Sequence, residues 1–266
     1  MNTMGVVGAT PVAPLAGVVP AVTCTAQATI ATGALPDVHG IVANGWLFRE
    51  LGEAWLWRQS ERLVQAPMCW DEARRARPHG HPLKVLKHFW WYALHSTADA
   101  VVTPRPVYHH DGRKAPDCYA FPHDLKPMLT RKHGTFPLFR FWGPTADIRS
   151  TRWIAESFAT AWDAVRPDLG LCYLPHLDYD LQRFGPTGPH LAANLRALDA
   201  EAGKVIAHAR ARGAPVLVVS EYGIAAVERG VYLNRALRRA GLLAAVENAA
   251  GELIDLHASQ AWALVD

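Results

Sequence analysis

Carboxylate, amide and phenol side chains follow two short apolar runs, residues 169–175 and 214–220, just beyond the end of each run. They are Asp178, Asp180 and Gln182 after the first run, and Glu221 and Tyr222 after the second. Because the carboxyl ends of neighbouring parallel strands meet at one edge of a sheet, we expect these side chains to converge. Such a cluster suits hard-cation binding or general acid–base chemistry. The same residues are also typical of helix caps and solvated turns, so both interpretations stay open.

A further candidate is Thr23, which lies at the expected cap position of a helix over residues 23–33. A hydroxyl there sits among unpaired backbone N–H groups, at the positive end of the helix dipole. Those groups can receive a phosphoryl oxygen. An ordinary capping threonine has the same sequence pattern, so this position alone does not decide the role of Thr23.

The elements that position these residues predict an α/β fold. Apolar residues recur at helical spacing between residues 190 and 212, and Gly213 separates this helix from the second apolar run. Strand, helix and strand form a βαβ unit, whose strands should be parallel with a right-handed crossover. Another helix is predicted near residues 233–243. The fold class is therefore α/β, with a mainly parallel sheet and helices on both faces.

We expect one domain over residues 1–266, with a Trp/Pro-rich insertion around residues 67–150. Within that insertion, the run KVLKHFWWYAL (84–94) predicts a helix, and residues 103–119 predict an extended segment punctuated by turn residues. Residues 34–46 are rich in turn formers and predict a link rather than a helix.

Composition excludes several classes of protein. The 266 residues carry a net charge of only +3 with scattered basic residues, so nucleic acid is not the expected partner. The cysteines at positions 24, 69, 118 and 172 lie far apart, which indicates neither a disulfide framework nor a zinc knuckle. The chain has no membrane-length apolar run, and no basic segment precedes the apolar N-terminus as a secretory signal requires. These features predict a cytoplasmic protein.

Basic residues in the turn-rich stretch are candidates for substrate contacts. Arg105, Arg113 and Lys114 could meet an anionic part of a substrate, although unpaired surface positions would look the same. The histidines within residues 79–81 and 109–110 could bind a metal, but short pairs in Pro/Gly-rich loops are more often exposed and incidental.

Residues 20–44, PAVTCTAQATIATGALPDVHGIVAN, carry a dense set of motifs: Pro-x-x-Thr, Thr-Gly, Pro-x-x-His-Gly-Ile and a final Asn. The residues concerned are Pro20, Thr23, Thr32, Gly33, Pro36, His39, Gly40, Ile41 and Asn44. Further along, Asp178 precedes Gly185-Pro186, and residues 220–223 read SEYG. This arrangement resembles the type I phosphodiesterase/nucleotide pyrophosphatase family of the alkaline phosphatase superfamily, in a divergent bacterial subgroup.

The resemblance implies an alkaline phosphatase-like fold and a phosphoryl transfer in two steps. It makes Thr23 the nucleophile that is transiently phosphorylated. It implies that Asn44 holds a non-bridging phosphoryl oxygen and that Asp178 is a metal ligand. Family chemistry uses two zinc-like ions.

Several positions depart from the family pattern. Gln182 stands where the family has a ligand His, and Glu221 and Tyr222 stand where it has Asp and His. Residues 4–11 offer no aspartate for the first strand. The resemblance implies one or two divalent ions, with zinc as the family's metal and magnesium or manganese as alternatives. Because Gln and Tyr are poor zinc ligands, a single ion is the favoured expectation. Its expected ligands are Thr23, Asp178 and Glu221. A further family histidine would lie beyond the last residue, as it would in a fragment of a longer protein.

The expected function is metal-dependent hydrolysis of a phosphodiester, pyrophosphate or phosphomonoester bond through a phosphothreonine intermediate. The expected partner is a small phosphorylated substrate, of which a nucleotide is one candidate. The alternative is a degenerate family member that binds a phosphorylated ligand without turnover, and the missing histidines motivate it. A phosphomutase on the same fold is a weaker hypothesis, because nothing in the sequence identifies a second phosphate site.

Overall fold

The computed structural model describes residues 13–77, 80–249 and 251–264. Residues 4–11, the expected first strand, and His79 therefore lie outside the described residues. The described residues divide into two compact units. The first lies within residues 13–44 and 57–225, and the second within residues 45–56 and 226–264.

The described strands and helices are numbered here in chain order. The strands are β1 (Gly45–Phe48), β2 (Glu53–Leu56), β3 (Val85–His88), β4 (Ala100–Pro104), β5 (Val107–Tyr108), β6 (Lys114–Ala115), β7 (Cys118–Phe121), β8 (Leu169–Cys172), β9 (Ala245–Asn248) and β10 (Gly251–Ile254). The α-helices are α1 (Thr23–Thr32), α2 (Pro36–His39), α3 (Cys69–Ala76), α4 (Leu125–His133), α5 (Ile148–Val165), α6 (Asp178–Phe184), α7 (Leu191–Arg210) and α8 (Leu233–Arg239). Short 3₁₀ helices cover Glu61–Leu63, Leu138–Arg140 and Gly143–Thr145.

A four-stranded sheet with the order β7-β4-β3-β8 organises the first unit. Strand β3 is parallel to both β4 and β8, and β7 is antiparallel to β4. The protein is thus α/β with a mixed, mostly parallel sheet, in agreement with the predicted class. The carboxyl ends of β3, β4 and β8 share one edge, which is where ligands of open α/β sheets bind.

Two apolar clusters divide the side chains of the central strands between them. One contains Leu86 and Val102 together with Phe158 of α5, and the other contains Val85 and Val101 together with Trp70 of α3. Helix α5 approaches β8 closely, since a Cβ added at Gly170 would lie 2.4 Å from the Trp162 ring. A side chain at that position would force the helix away from the sheet.

The predicted insertion is part of this core. Strands β3, β4 and β7, three of the four strands of the sheet, lie within residues 67–150. The extended segment at 103–119 is confirmed, because it contains the end of β4, the β5–β6 hairpin and the start of β7.

The helix predicted over residues 84–94 is wrong. The segment forms β3 and then an irregular stretch in which Phe89 and Tyr92 have positive φ angles of 61° and 57°. Its polar residues are fully buried with partners rather than solvated: Lys87 Nζ lies 3.0 Å from Glu61 Oε2, and His88 Nε2 lies 2.8 Å from Ser157 Oγ. A strand buried on both faces has no solvent-facing period, so an apolar run of this length is easily mistaken for a helix.

The predicted βαβ unit is only partly formed. The strand after residue 168 and the following helix are present as β8 and α7, but residues 214–220 form no strand. In this stretch Leu217 is 84% exposed and Val218 is 63% exposed. A strand requires a hydrogen-bonded neighbour, and no described segment pairs with residues 214–220. The predicted second buried strand and its parallel crossover are therefore wrong for the described structure.

The N-terminal helix is confirmed as α1, with one correction. Thr23 is its first helical residue, and the capping position belongs to Val22, which has no capping side chain. Gly33 ends the helix with a φ of 68°, a conformation that favours glycine. The link at 34–46, predicted to lack helix, contains the short helix α2, which begins at a proline as helix starts commonly do.

The second unit consists of two antiparallel hairpins, β1–β2 and β9–β10, and helix α8. Helix α8 confirms the helix predicted near residues 233–243, although it is shorter. The side chain of Asn234 fixes the C-terminal segment by accepting from the Ala263 N–H at 2.7 Å and donating to the Ala263 carbonyl at 2.9 Å. In the described part of the chain, no helix combines the length and apolarity needed to span a membrane.

Candidate active site

Thr23 opens helix α1 and is only 6% exposed. Its Oγ1 lies 3.5 Å from the hydroxyl oxygen of Tyr222. The Tyr222 hydroxyl donates to Asp178 Oδ1 at 3.2 Å. The contact does not fix which of the two hydroxyls donates, because Thr23 has one proton and also bonds to Glu221. The structure therefore brings together a helix-start hydroxyl, a phenol and a carboxylate from three separate segments.

Asn44 holds the start of the same helix. Its Oδ1 accepts a hydrogen bond of 2.9 Å from the backbone N–H of Cys24, the residue after Thr23. This bond satisfies one of the four N–H groups that a helix start leaves unpaired. Asn44 thus supplies, from 20 residues beyond Cys24, the cap that Val22 cannot provide, and it is 7% exposed beside the candidate nucleophile.

Asp178 begins helix α6, directly after the segment that leaves the carboxyl end of β8. Its Oδ1 accepts from Tyr222, and its Oδ2 accepts from Gln182 Nε2 at 3.0 Å. Burial raises the pKa of Asp178 above its usual range, against the two hydrogen bonds, which lower it. Gln182 therefore orients this carboxylate from one turn further along the helix.

Glu221 is the second carboxylate of the site. Its Oε1 accepts a 2.5 Å hydrogen bond from Gln27 Nε2. Burial raises the pKa of Glu221 to about 7; hydrogen bonds from Gln27 and Thr23 oppose this shift, and the negative charge of Asp178 adds to it. Two carboxylates thus lie close enough to influence each other. Within the described residues, neither forms an ion pair with a basic side chain.

Gln27 and Tyr173 belong to the site although the sequence analysis does not name them. Gln27 is fully buried, and its Oε1 accepts from the Trp91 backbone N–H at 2.7 Å. Its spacing of four residues from Thr23 places both on one face of α1, which is the signal that could have identified it. Burial, followed by the charge of Glu221, raises the pKa of Tyr173 well above its usual range. Tyr173 directly follows β8, but it lies inside the longer predicted strand at residues 169–175 and was therefore not predicted as a site residue.

Other candidate residues lie in different surroundings. Asp180 contacts Asn194 and Arg183, as a helix-surface carboxylate does. Arg113 forms an exposed ion pair of 2.6 Å with Asp111. Lys114 Nζ lies 5.4 Å from the centre of the Tyr108 ring.

His39 from the N-terminal motif has a structural position. Its Nε2 lies 2.9 Å from Thr29 Oγ1, and its Nδ1 accepts from the Ile41 N–H at 3.0 Å. The ring is completely buried, and burial lowers its pKa. It ties α1 to the turn that leads to Asn44.

A family comparison matches residues 10–265 to type I phosphodiesterase / nucleotide pyrophosphatase. The chain belongs to this family. The type I phosphodiesterase/nucleotide pyrophosphatases are part of the alkaline phosphatase superfamily, so the resemblance carried by residues 20–44 is confirmed. The match includes Thr23 and both carboxylate segments. Comparison with curated proteins gives no match.

Two solved structures are similar to this family member. Phosphonoacetate hydrolase from Sinorhizobium meliloti 1021, in complex with phosphonoformate, has 16% identity and a TM-score of 0.47, with 72% of this chain and 44% of that chain covered. Murine ectonucleotide pyrophosphatase/phosphodiesterase 5 has 17% identity and a TM-score of 0.40, with coverages of 74% and 43%. The chain thus spans less than half of the length of these structures.

The atoms available as metal ligands in the site of this phosphodiesterase-family chain determine which metal ion could bind there. The groups around Thr23 are hydroxyls, phenols and two carboxylates, and the described residues contain no group of three or more His, Cys, Asp or Glu that could hold an ion. Zinc prefers nitrogen and sulfur ligands, so a pair of zinc sites does not fit these residues. One oxygen-preferring cation fits better, since two carboxylates without a basic partner leave negative charge uncompensated.

Proposed function

We propose that this protein hydrolyses phosphodiester, pyrophosphate or phosphomonoester bonds through a phosphothreonine formed on Thr23. The observation that carries the proposal is the placement of a buried hydroxyl at a helix start, in contact with Tyr222 and beside Asp178 and Glu221. Family membership supports phosphoester hydrolysis as the reaction class.

The chemistry follows from what these groups can do. Thr23 Oγ1 forms a bond to phosphorus while the bond from phosphorus to the leaving oxygen breaks. The hydroxyl proton ends on the leaving group, which is an alcohol from an ester or a phosphate from a pyrophosphate. Water then attacks the phosphothreonine, its bond to Thr23 Oγ1 breaks, and the product is phosphate from a monoester or a phosphomonoester from a phosphodiester. The backbone N–H groups at the start of α1 and the amide of Asn44 stabilise charge on the phosphoryl oxygens.

Charge compensation is the remaining requirement. A phosphate group approaching Asp178 and Glu221 would meet two carboxylates, which repel it at alkaline pH. Thr23, Asp178 and Glu221 would hold one divalent cation, and magnesium or manganese suits their oxygen atoms better than zinc. When bound there, such an ion would neutralise the carboxylates and would favour ionisation of the Thr23 hydroxyl.

One experiment tests the nucleophile directly. The protein is incubated with bis(p-nitrophenyl) phosphate or p-nitrophenyl phosphate in the presence of magnesium, manganese or zinc, and is then quenched with acid. We expect release of p-nitrophenol and a phosphorylated peptide that contains Thr23, with neither product in Thr23→Ala. Turnover with an unmodified Thr23 peptide and an active Thr23→Ala variant would refute the mechanism.

A second function has a specific observation in its favour. Both oxygens of Asp178 already accept hydrogen bonds from the neutral side chains of Tyr222 and Gln182. A protein that binds a phosphorylated ligand without turnover could retain such a site. Phosphate that protects the protein from thermal unfolding, with no p-nitrophenol released under any metal, would favour this alternative.

A further inference from the structure

An open groove with a volume of about 820 Å³ lies on the first unit, and its lining includes none of the residues around Thr23. Its charged side chains are Arg105, Asp117, Lys126 and Arg131, and its aromatic rings are Tyr108, Tyr119 and His123. Small-molecule sites commonly enclose roughly 300–1,000 Å³, so this groove has room for a ligand of that size.

The charges of the groove do not cancel. Lys126 Nζ lies 2.5 Å from Asp117 Oδ2, and these two charges compensate each other. Arg105 and Arg131 are exposed, and neither makes an ion pair with any described side chain. Two guanidinium groups are therefore available to an anion, and their planar forks suit phosphate oxygens.

Aromatic surface lies beside these cations. Tyr108 is 63% exposed at the groove, and Tyr119 is half-buried there. Lys114 Nζ lies over the Tyr108 ring, which adds another positive charge at the rim. Exposed tyrosine rings offer stacking surface to a planar group.

The groove begins where β4 ends. Arg105 follows Pro104, the last residue of β4, at the same sheet edge from which the chain leaves β8 towards Asp178. Strand β3 lies between β4 and β8, which places these two strands about 10 Å apart. The groove shares no residue with the Thr23 site.

We propose that this groove is a separate binding site for a small dianion that carries a planar ring, the chemical class of nucleoside monophosphates. The two uncompensated arginines hold the phosphate, and Tyr108 stacks on the ring. The proposal does not depend on hydrolysis at Thr23.

Calorimetric titration with AMP tests this site, in a buffer of low salt with a chelator so that no metal-dependent site contributes. We expect the wild type to bind AMP, and Arg105→Gln and Arg131→Gln each to weaken binding by about tenfold or more. The matched control is Arg196→Gln, an exposed arginine on α7 outside the groove, which should bind as the wild type does.

Two further variants separate the parts of the proposal. Tyr108→Ala should weaken binding of AMP but leave binding of inorganic phosphate unchanged. Thr23→Ala should bind AMP normally even if the proposed hydrolysis is correct. The inference is overturned if the wild type does not bind AMP, if a double Arg105→Gln/Arg131→Gln variant binds it equally well, or if Thr23→Ala abolishes binding.

Discussion

The two sides of the Thr23 site differ in what positions and tunes their functional groups. The nucleophile side consists of Thr23, which α1 presents, and Asn44, which caps the helix start. The carboxylate side consists of Asp178, which accepts from the neutral donors Tyr222 and Gln182, and Glu221, which accepts from Gln27. The nucleophile side is preorganised by backbone geometry, while the carboxylate side depends on the charge state of two half-buried acids.

Because of this difference, the class of reaction and the choice of cation depend on different sides of the site. The N–H groups at a helix start can receive phosphoryl oxygens whichever cation is used, as the proposed attack of Thr23 on phosphorus requires. The oxygen donors of the carboxylate side favour hard cations. The nucleophile side therefore predicts the class of reaction, and the carboxylate side predicts its metal preference.

The largest effect is expected on the nucleophile side. Thr23→Ala should lower kcat on an aryl phosphodiester by more than about a thousandfold, because no other described group replaces the nucleophile. Thr23→Ser should keep part of the activity, since a hydroxyl remains. The readout is release of p-nitrophenol, with far-UV circular dichroism as a check on folding. An alanine variant with undiminished activity would remove the distinction between the two sides.

Asn44 is expected to affect rate and stability separately. Asn44→Ala should lower kcat by about a hundredfold, as loss of one transition-state donor does. It should also lower stability by about 1 kcal/mol, because the Cys24 N–H loses its acceptor.

The Asn44→Asp variant provides the control. An aspartate still accepts from the Cys24 N–H, so the melting temperature should stay near that of the wild type. It cannot donate to a phosphoryl oxygen, so kcat should fall as in the alanine variant. If kcat falls only in Asn44→Ala, Asn44 is a cap and nothing more.

The carboxylate side should respond to pH. The pKa of Glu221, raised to about 7, favours the protonated folded state, so this group stabilises the fold at acidic pH and that contribution is lost as the pH rises through 7. Without divalent cations, Glu221→Gln should therefore be more stable than the wild type at pH 8, by on the order of 2 kcal/mol, and similar at pH 4.

Cation binding should make the wild type more stable than Glu221→Gln at pH 8. Adding manganese or magnesium at pH 8 should raise the melting temperature of the wild type and should do so much less in Glu221→Gln. Glu228→Gln, which changes an exposed glutamate seven residues further on, serves as the matched control. Equal metal content and equal thermal shifts in wild type and Glu221→Gln would place the cation elsewhere.

The smallest effect is expected for Tyr222→Phe. The change removes the donor to Asp178 Oδ1 and the 3.5 Å hydroxyl contact with Thr23. One hydrogen bond contributes about 1 kcal/mol, so activity should change by about fivefold or less. Most of the bound metal, measured by elemental analysis, should remain. Complete loss of metal in this variant would make Tyr222 a ligand and would contradict the assignment of the ion to the carboxylates.

The sequence was informative where chemistry is local. The spacing of Thr23, Gly33 and Asn44 identifies the helix, its end and the family, because these positions have fixed backbone roles. Convergence of Asp178 and Glu221 was also foreseen, yet for a reason that holds only in part, since residues 214–220 are not the predicted strand.

The rest depended on partners that a single sequence does not show. In the sequence, Lys87 and His88 look like the polar face of a helix. In the structure they are buried polar residues with the partners Glu61 and Ser157, which are distant in the sequence. Residues 214–220 are as apolar as a buried strand, but a strand also needs a hydrogen-bonded neighbouring strand, which apolarity does not predict. Tyr173 lies within the predicted strand at residues 169–175, and the sequence does not show that the strand ends before it. It could therefore not be distinguished from an ordinary strand residue.

The exposed run at residues 216–219 has a consequence for the behaviour of the protein in solution. Three valines and a leucine face solvent with backbone groups that no described segment pairs. Such a stretch is a template for strand addition from another molecule. Colloidal stability should therefore fall with rising protein concentration, and a single charge in this run, such as Leu217→Lys, is the change most suited to keeping the chains apart.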